Sequence, residues 1–320
     1  MRFSKMHGLG NDYIYVDAVR EDVINPAALA RAVSDRHTAI GGDGLILIGA
    51  PSVESKAHAS MRIFNADGSE AQMCGNGIRC VTKFVVDRGI CDENPLRIET
   101  GRGVLEMEWW IGSDGKVCDV EVDMGEPILG AAAIGVRWPG INGESQIVAR
   151  PWSEAMWHDA IVGMVGARST TADTKWLKSS GVQPIATVVS MGNPHIIFWC
   201  DDVAKVPLES IGSAIERHAF FPERINVHFV QVLGRDELRM RTWERGSGIT
   251  LACGTGASAV CVASVLDGRC DRAVRIHLPG GELLLRWDES DGRVRMRGPA
   301  VHVFDGEWDE AKSRVMHVSQ

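Results

Sequence analysis

The sequence predicts an α+β fold of two pseudo-symmetric domains, each a curved β-sheet or barrel wrapped around one central buried helix. Three observations carry this. A segment recurs later in the chain at a constant offset, each copy holds one helix-like run behind a Cys-Gly-x-Gly motif, and short strand-like runs surround both helices.

Arg62, Phe64, Cys74, Gly75, Gly77, Val81, Val86, Gly89 and Cys91 recur, at an offset of 179 residues, as Arg241, Trp243, Cys253, Gly254, Gly256, Val260, Val265, Gly268 and Cys270. Two flanking blocks follow in the same order. Gly10-Asn11 and Ile14 face Gly192-Asn193 and Ile196, and Arg97-Ile98, Gly103 and Leu105 face Arg275-Ile276, Gly281 and Leu283. Three ordered blocks at nearly one offset point to a duplicated domain.

The helix elements follow from periodicity. Ile78, Val81, Phe84 and Val85 fall on one helical face. The second run, 257–266, is apolar almost all round, which predicts a helix buried on every side. Arg88-Gly89 and Asp267-Gly268 supply C-terminal stops. Strand-like runs occupy 13–16, 45–48, 104–110, 117–122, 185–189, 196–199, 227–232, 283–287 and 294–296. The expected partition is residues 1–118 plus 299–320 for the domain with Cys74, and 119–298 for the domain with Cys253. Within the second lies an insertion at roughly 130–181 that matches neither copy. It holds Trp138, Trp152, Trp157 and Trp176, its 152–164 stretch reads as an amphipathic helix, and it has no assignable chemistry.

Bulk properties narrow the function. The net charge of −8 and the lack of a basic run argue against nucleic acid as partner. No apolar stretch reaches the roughly 18 residues of a membrane span, and the N-terminus lacks a signal-peptide apolar region. A cytoplasmic protein acting on a small molecule is expected. With 45% hydrophobic residues the chain can build a core without disulfide staples, so its eight cysteines read as thiols, and most as small buried apolar residues. There is no Cys-x-x-Cys pair, and no metal is expected. The segment 7–11 contains Gly-x-Gly but not the third glycine of a dinucleotide site, and 41–44 reads as a turn. No cofactor is expected.

Cys74 and Cys253 differ from the other cysteines in standing directly before a helix. A thiol there meets the positive end of the helix dipole, which favours the thiolate. The glycines behind it, Gly75 and Gly254, let a substrate approach the first-turn N–H groups, which suit a carboxylate. Either motif alone reads equally as a buried cysteine ahead of a core helix. A duplicated pair suits inversion at a carbon centre, with one thiolate removing an α-proton and the second thiol protonating the opposite face. The two would share one proton, and the helix termini would stabilise the developing negative charge.

These residues stand in blocks that together resemble the diaminopimelate epimerase family. The blocks are 5–13 (KMHGLGNDY), 42–45 (GDGL), 64–70 (FNADGSE), 73–80 (MCGNGIRC), 191–195 (MGNPH), 225–227 (INV), 243–246 (WERG) and 252–257 (ACGTGA). They cover most of the chain outside 130–181. The resemblance implies the two-domain fold with the site in its cleft, and interconversion of LL- and meso-2,6-diaminoheptanedioate in lysine and peptidoglycan precursor synthesis, in a homodimer. It implies that Cys74 and Cys253 are the acid/base pair, supported by His195 and Glu244. Gly75, Asn76, Gly254 and Thr255 would hold the reacting carboxylate and amine. Asn11, Asn65, Asn193, Asn226, Glu244 and Arg245 would read the distal end. Taken singly, the asparagines and Arg245 more often read as turn or surface residues, and His195 reads equally as a turn histidine. Cys80, Cys91, Cys261 and Cys270 read as core or helix-end packing. Two other readings compete: a two-cysteine racemase of proline or hydroxyproline type, and a non-catalytic relative.

Overall fold

The computed structural model describes residues 1–165 and 175–309. The chain divides into two compact units, residues 1–123 with the stretch from 297 onward, and residues 124–296.

In the first unit, β1 (Arg2–Gly8) turns into β2 (Asn11–Asp17), and α1 (Pro26–Ser34) crosses over to β3 (Gly44–Gly49), parallel to β2. Then β4 (Ala59–Asn65) and β5 (Glu70–Ala71) run antiparallel in sequence. The helix α2 (Gly75–Asp87) leads to β6 (Leu96–Thr100), parallel to β4, and to the antiparallel β7 (Gly103–Ile111) and β8 (Val117–Gly125). The sheet curls round α2, which touches β1, β2, β4 and β7.

The second unit opens with α3 (Ala131–Ile134), β9 (Arg150–Pro151), α4 (Glu154–Val165) and α5 (Lys175–Ser180). It then repeats the first unit step by step. β10 (Ile185–Ser190) turns into β11 (Pro194–Cys200), and α6 (Leu208–Glu216) crosses to the parallel β12 (Asn226–Gly234). β13 (Glu237–Glu244) and β14 (Gly248–Thr250) follow antiparallel, and α7 (Gly254–Leu266) leads to β15 (Ala273–Leu278), parallel to β13, and its partner β16 (Gly281–Trp287). β17 (Val294–Pro299) and β18 (Val301–Glu307) close the order, with β18 antiparallel to β1. The helix α7 touches β10, β11, β12, β15 and β16.

The duplication extends to strand register. Leu45 pairs with Phe64 as Val227 pairs with Trp243. Phe64 pairs with Glu70 as Trp243 pairs with Ile249. Ala59 pairs with Ile98 as Leu238 pairs with Ile276. Because a one-residue slip would exchange the two faces of a strand, equal register gives equivalent residues equivalent surroundings.

Both central helices are explained by burial. Ile78, Val81, Phe84 and Val85 on α2 are buried, as expected from their spacing. α2 also buries Arg79, whose guanidinium donates to the carbonyls of Pro299 and Gly75 and to Asn76 Oδ1. α7 is buried from Gly256 through Ser264. Each helix ends at a glycine in the left-handed region, Gly89 at φ 64° and Gly268 at φ 68°.

The stretch between the units' repeated parts is core rather than decoration. Trp138, Trp152 and Trp157 are buried together with Phe198, Phe221 and Phe229, with Trp176 packed against them. Trp152 is at the centre, with its ring 5.2 Å from Phe198 and 5.6 Å from both Trp138 and Trp157. On α4, Trp157 and Ala160 face inward while Glu154, His158 and Asp159 face out, an amphipathic pattern over the described side chains. Residues 166–174 of this stretch lie outside the described residues. Removing a fully buried indole leaves a large cavity, so Trp152→Ala should lower unfolding free energy by about 3–5 kcal/mol in a denaturant titration. A loss below about 1 kcal/mol would show that the cluster does not hold the second unit together.

Candidate active site

In the first unit Cys74 is the N-cap of α2, with an extended backbone, and its Sγ accepts from the Gly77 N–H at 3.4 Å. The second glycine of the motif is required by packing. A Cβ at Gly77 would stand 2.8 Å from Ile46 Cδ1 and 3.1 Å from Met61 Cε. Asn11, at the start of β2, places Oδ1 3.4 Å from Cys74 Sγ and accepts from Asn76 Nδ2 at the same distance. Asn76 is itself oriented by Arg79, a donor that selects its Oδ1. Tyr13 is buried, and its phenol is pushed up by burial and then by Cys74 and Asp43. Asn65 ends β4, where its Nδ2 donates to Ser69 Oγ at 3.0 Å.

In the second unit Cys253 is the N-cap of α7, with its Sγ 3.7 Å from Thr255 Oγ1. A Cβ at Gly256 would stand 2.4 Å from His228 Cε1, so this glycine too is fixed by close approach. Glu244 ends β13, beside Cys253, and accepts from Thr250 Oγ1 at 2.5 Å. Burial pushes the Cys253 thiol well up, and the Glu244 carboxylate adds to this against the opposing Thr255 hydroxyl and Gly256 N–H. The helix position alone predicts a lowered value. Desolvation and the adjacent carboxylate reverse it, so Cys253 holds its proton at neutral pH.

His195 is fully buried, and both its ring nitrogens are engaged. Asn193 Oδ1 lies 3.0 Å from Nε2, and His228 Nε2 lies 2.9 Å from Nδ1. His228 Nδ1 in turn lies 3.0 Å from Thr242 Oγ1. Burial lowers both histidines, His228 to about 3, so the rings are neutral. With that Asn193 orientation, the chain has one direction: Thr242 donates to His228, His228 to His195, and His195 to Asn193. His195 therefore acts on its surroundings through Asn193 and His228.

Asn226 ties two loops. Its Nδ2 donates to the Pro194 carbonyl at 3.0 Å, and its Oδ1 accepts from the Arg245 N–H at 2.8 Å. The Arg245 guanidinium is exposed, with Nη1 on the Glu223 carbonyl. The buried Glu216 holds this turn by accepting from Trp243 Nε1 at 2.7 Å and Gly246 N at 3.3 Å.

Cys74, Gly75, Asn76, Asn11 and Asn65 thus fall in the first unit. Asn193, His195, Asn226, Glu244, Arg245, Cys253, Gly254 and Thr255 fall in the second. Asp43, Tyr13, His228, Thr250 and Glu216 also shape these surroundings and were not singled out by the sequence. Of these, Asp43 and Tyr13 had a signal, their places in the 42–45 and 5–13 blocks. The remaining described cysteines are thiols, with Cys80 and Cys261 buried in the two central helices. Among the described residues no group of three His, Cys, Asp or Glu is placed to hold a metal ion. No helix among them is long and apolar enough to cross a membrane.

The family model described as diaminopimelate epimerase matches residues 3–130 and 187–303. The diaminopimelate epimerase of Acetivibrio thermocellus is 48% identical, covering 97% of this chain and 99% of its own. That of Leptospira biflexa is 44% identical, covering 96% and 98%. Among solved structures, a Bacillus anthracis phenazine biosynthesis protein of the PhzF family superposes with a TM-score of 0.64 at 14% identity, covering 97% of this chain and 99% of that one. A hydroxyproline epimerase from Agrobacterium vitis gives 0.56 at 14% identity, covering 96% and 90%. These structural likenesses establish the shared fold. With the family model matching most of the chain and relatives this similar over nearly their whole length, the chain belongs to the diaminopimelate epimerase family.

Proposed function

We propose that the protein interconverts LL- and meso-2,6-diaminoheptanedioate by two-base proton transfer between Cys74 and Cys253, without a cofactor. Membership of this family makes it an isomerase. The observation that carries the mechanism is the equivalence of the two thiols. Each is the N-cap of the buried central helix in one of two units with the same topology and register.

One thiolate takes the α-proton, so the electron pair of the C–H bond passes to the α-carbon and its carboxylate. The other thiol gives its proton to the opposite face, and inversion results. The N–H groups of the first turns, at Gly75, Asn76, Gly254 and Thr255, suit the reacting carboxylate as its negative charge grows. Cys253 enters as the proton-bearing thiol, as its burial against Glu244 supports. Asn65, Asn193, Asn226 and Arg245 read the distal end, where a guanidinium can pair with a carboxylate in bidentate fashion. Asn11, beside Cys74, serves the reacting end. His195 positions Asn193, and Glu244 tunes Cys253. The setting is cytoplasmic, in lysine and peptidoglycan precursor synthesis, and the assembly is a homodimer. A proline or hydroxyproline racemase is the second reading, since a hydroxyproline epimerase shares the fold.

Turnover of LL-diaminopimelate and of L-proline separates these readings. Activity on diaminopimelate with none on proline is expected, and the reverse overturns the assignment. Cys74→Ser and Cys253→Ser should each lower kcat about 10²–10⁴-fold, the usual contribution of a positioned acid or base. Parent-like kcat in either variant contradicts the two-base scheme. Because the Glu244 carboxylate disfavours the Cys253 thiolate, Glu244→Gln should move the ionisation of Cys253 to lower pH. Alkylation of the Cys253 peptide as a function of pH, read by mass spectrometry, reports this shift, and an unmoved or raised midpoint refutes the role of Glu244.

A further inference from the structure

We propose that Asp43 is a positioning residue that locks the Asn11 amide with its carbonyl toward Cys74, so that the Cys74 thiolate is not over-stabilised by donors and can take the α-proton and hold it as S–H. The inference rests on the reading of Cys74 as an acid/base thiol.

The orientation of Asn11 is settled by chemistry. Asp43 Oδ2 lies 2.7 Å from the Asn11 amide and also accepts from the Asp12 N–H at 3.0 Å. A carboxylate only accepts, so the group facing it is the Asn11 NH₂. The Asn11 Oδ1 is left toward Cys74 Sγ and Asn76 Nδ2, both 3.4 Å away. The Asp43 carboxylate is itself anchored. Arg36 Nη2 donates to Asp43 Oδ1 at 2.9 Å and bridges to Asp12, which also pairs with Lys5 at 2.5 Å. The main chain of Asp43 is pinned as well, its N–H donating to the Asp12 carbonyl at 2.7 Å and its carbonyl accepting from Ala66 at 3.0 Å.

Two influences meet at Cys74. The Gly77 N–H and the end of α2 favour a thiolate, whereas the Asn11 carbonyl favours S–H. Tyr13 and Tyr15 of β2, and Arg79 and Cys80 of α2, all buried, are titratable groups that also interact with it. A thiol that must be acid in one direction and base in the other gains from this balance. If Asn11 turned its NH₂ to the sulfur, every neighbour named at that position would donate, and the thiolate would be too stable to take or return a proton readily.

The second unit lacks this device. Register equates Gly44 with Asn226, since they pair with Tyr13 and His195, so Asp43 corresponds to the buried, apolar Ile225. There Asn193, the counterpart of Asn11, is held through His195, and the carboxylate beside the thiol is Glu244. Each thiol therefore has a different polar control on the same backbone frame.

The test is the pH dependence of Cys74 alkylation by iodoacetamide, read peptide by peptide in a mass spectrometer on the full chain without substrate. In Asp43→Asn the side chain at 43 can present either its carbonyl or its amide, Asn11 is free to turn, and the Cys74 midpoint should fall by about one pH unit. Asp12→Asn removes a neighbouring charge without touching the Asn11 amide and should leave the midpoint within about 0.3 unit. Asn11→Asp, which puts a carboxylate against the sulfur, should raise it, and serves if Asp43→Asn does not fold. In turnover, Asp43→Asn should lower kcat about tenfold with KM changed less than about threefold, as for an interaction that acts on proton transfer rather than binding. An unmoved or raised midpoint in Asp43→Asn, a lowered one in Asn11→Asp, or equal shifts in Asp43→Asn and Asp12→Asn each overturn the proposal. Alkylation needs no substrate. The predicted shifts in a protein inactive on diaminopimelate would therefore retain the Asp43–Asn11 lock while removing the epimerase reading.

Discussion

The structure depends on a thiol placed at the N-cap of a helix that a curved sheet surrounds. A helix buried on all sides cannot rely on water for its first-turn N–H groups, so those groups need a partner from the chain or from a bound molecule. Here the cap is a cysteine in both units, and the chain then makes the helix start approach its sheet closely. Gly77 meets Ile46 and Met61, and Gly256 meets the His228 ring. The glycines of the motif thus have a packing reason and a chemical one. They admit the helix end to the core, and in the proposed mechanism the helix N–H groups behind them meet a carboxylate.

Around the two thiols the units differ in their polar surroundings. Strand order, crossover helices and register agree between them. At the first thiol the neighbours are two asparagines fixed by Asp43 and Arg79. At the second they are a carboxylate, a threonine hydroxyl and, behind Gly256, a pair of neutral histidines. Duplication supplies two equivalent backbone positions, and side-chain exchange then gives the two sulfurs different polar surroundings. For a reaction that runs in both directions through two thiols sharing one proton, such asymmetry sets which sulfur carries the proton first.

Much of this was legible in the sequence because the signals were local or periodic. The Cys-Gly-x-Gly spacing marked both helix starts, and Gly89 and Gly268 marked both ends. The apolar period of α2 and the apolar run of α7 marked the two central helices. Strands such as β4, β6, β13 and β15 were missed, because charged residues interrupt their apolar pattern where the side chain faces outward. Arg62 and Arg239 are examples, both exposed. The crossover helices α1 and α6 span nine residues each and draw their stability from packing, although Asn25 and Pro26 do mark the start of α1. The roles of Asp43, His228 and Thr250 had no spacing to announce them. Their partners lie tens of residues away in sequence for Asp43–Asn11 and His228–His195, and such contacts exist only after the sheet has formed. The raised Cys253 thiol was likewise hidden, because position at a helix start argues one way while burial against Glu244 argues the other and prevails.

The central claim is that two different sulfurs handle the proton that leaves and the proton that arrives. Heavy water tests it most directly. LL-diaminopimelate is incubated with the enzyme in D₂O, and both epimers are analysed at low conversion. A two-thiol mechanism predicts deuterium at the inverted α-carbon of the product and almost none in the recovered substrate, because a proton returned to its original face comes from the sulfur that took it. Equal early labelling of recovered substrate and product would show a single base serving both faces and would contradict the account.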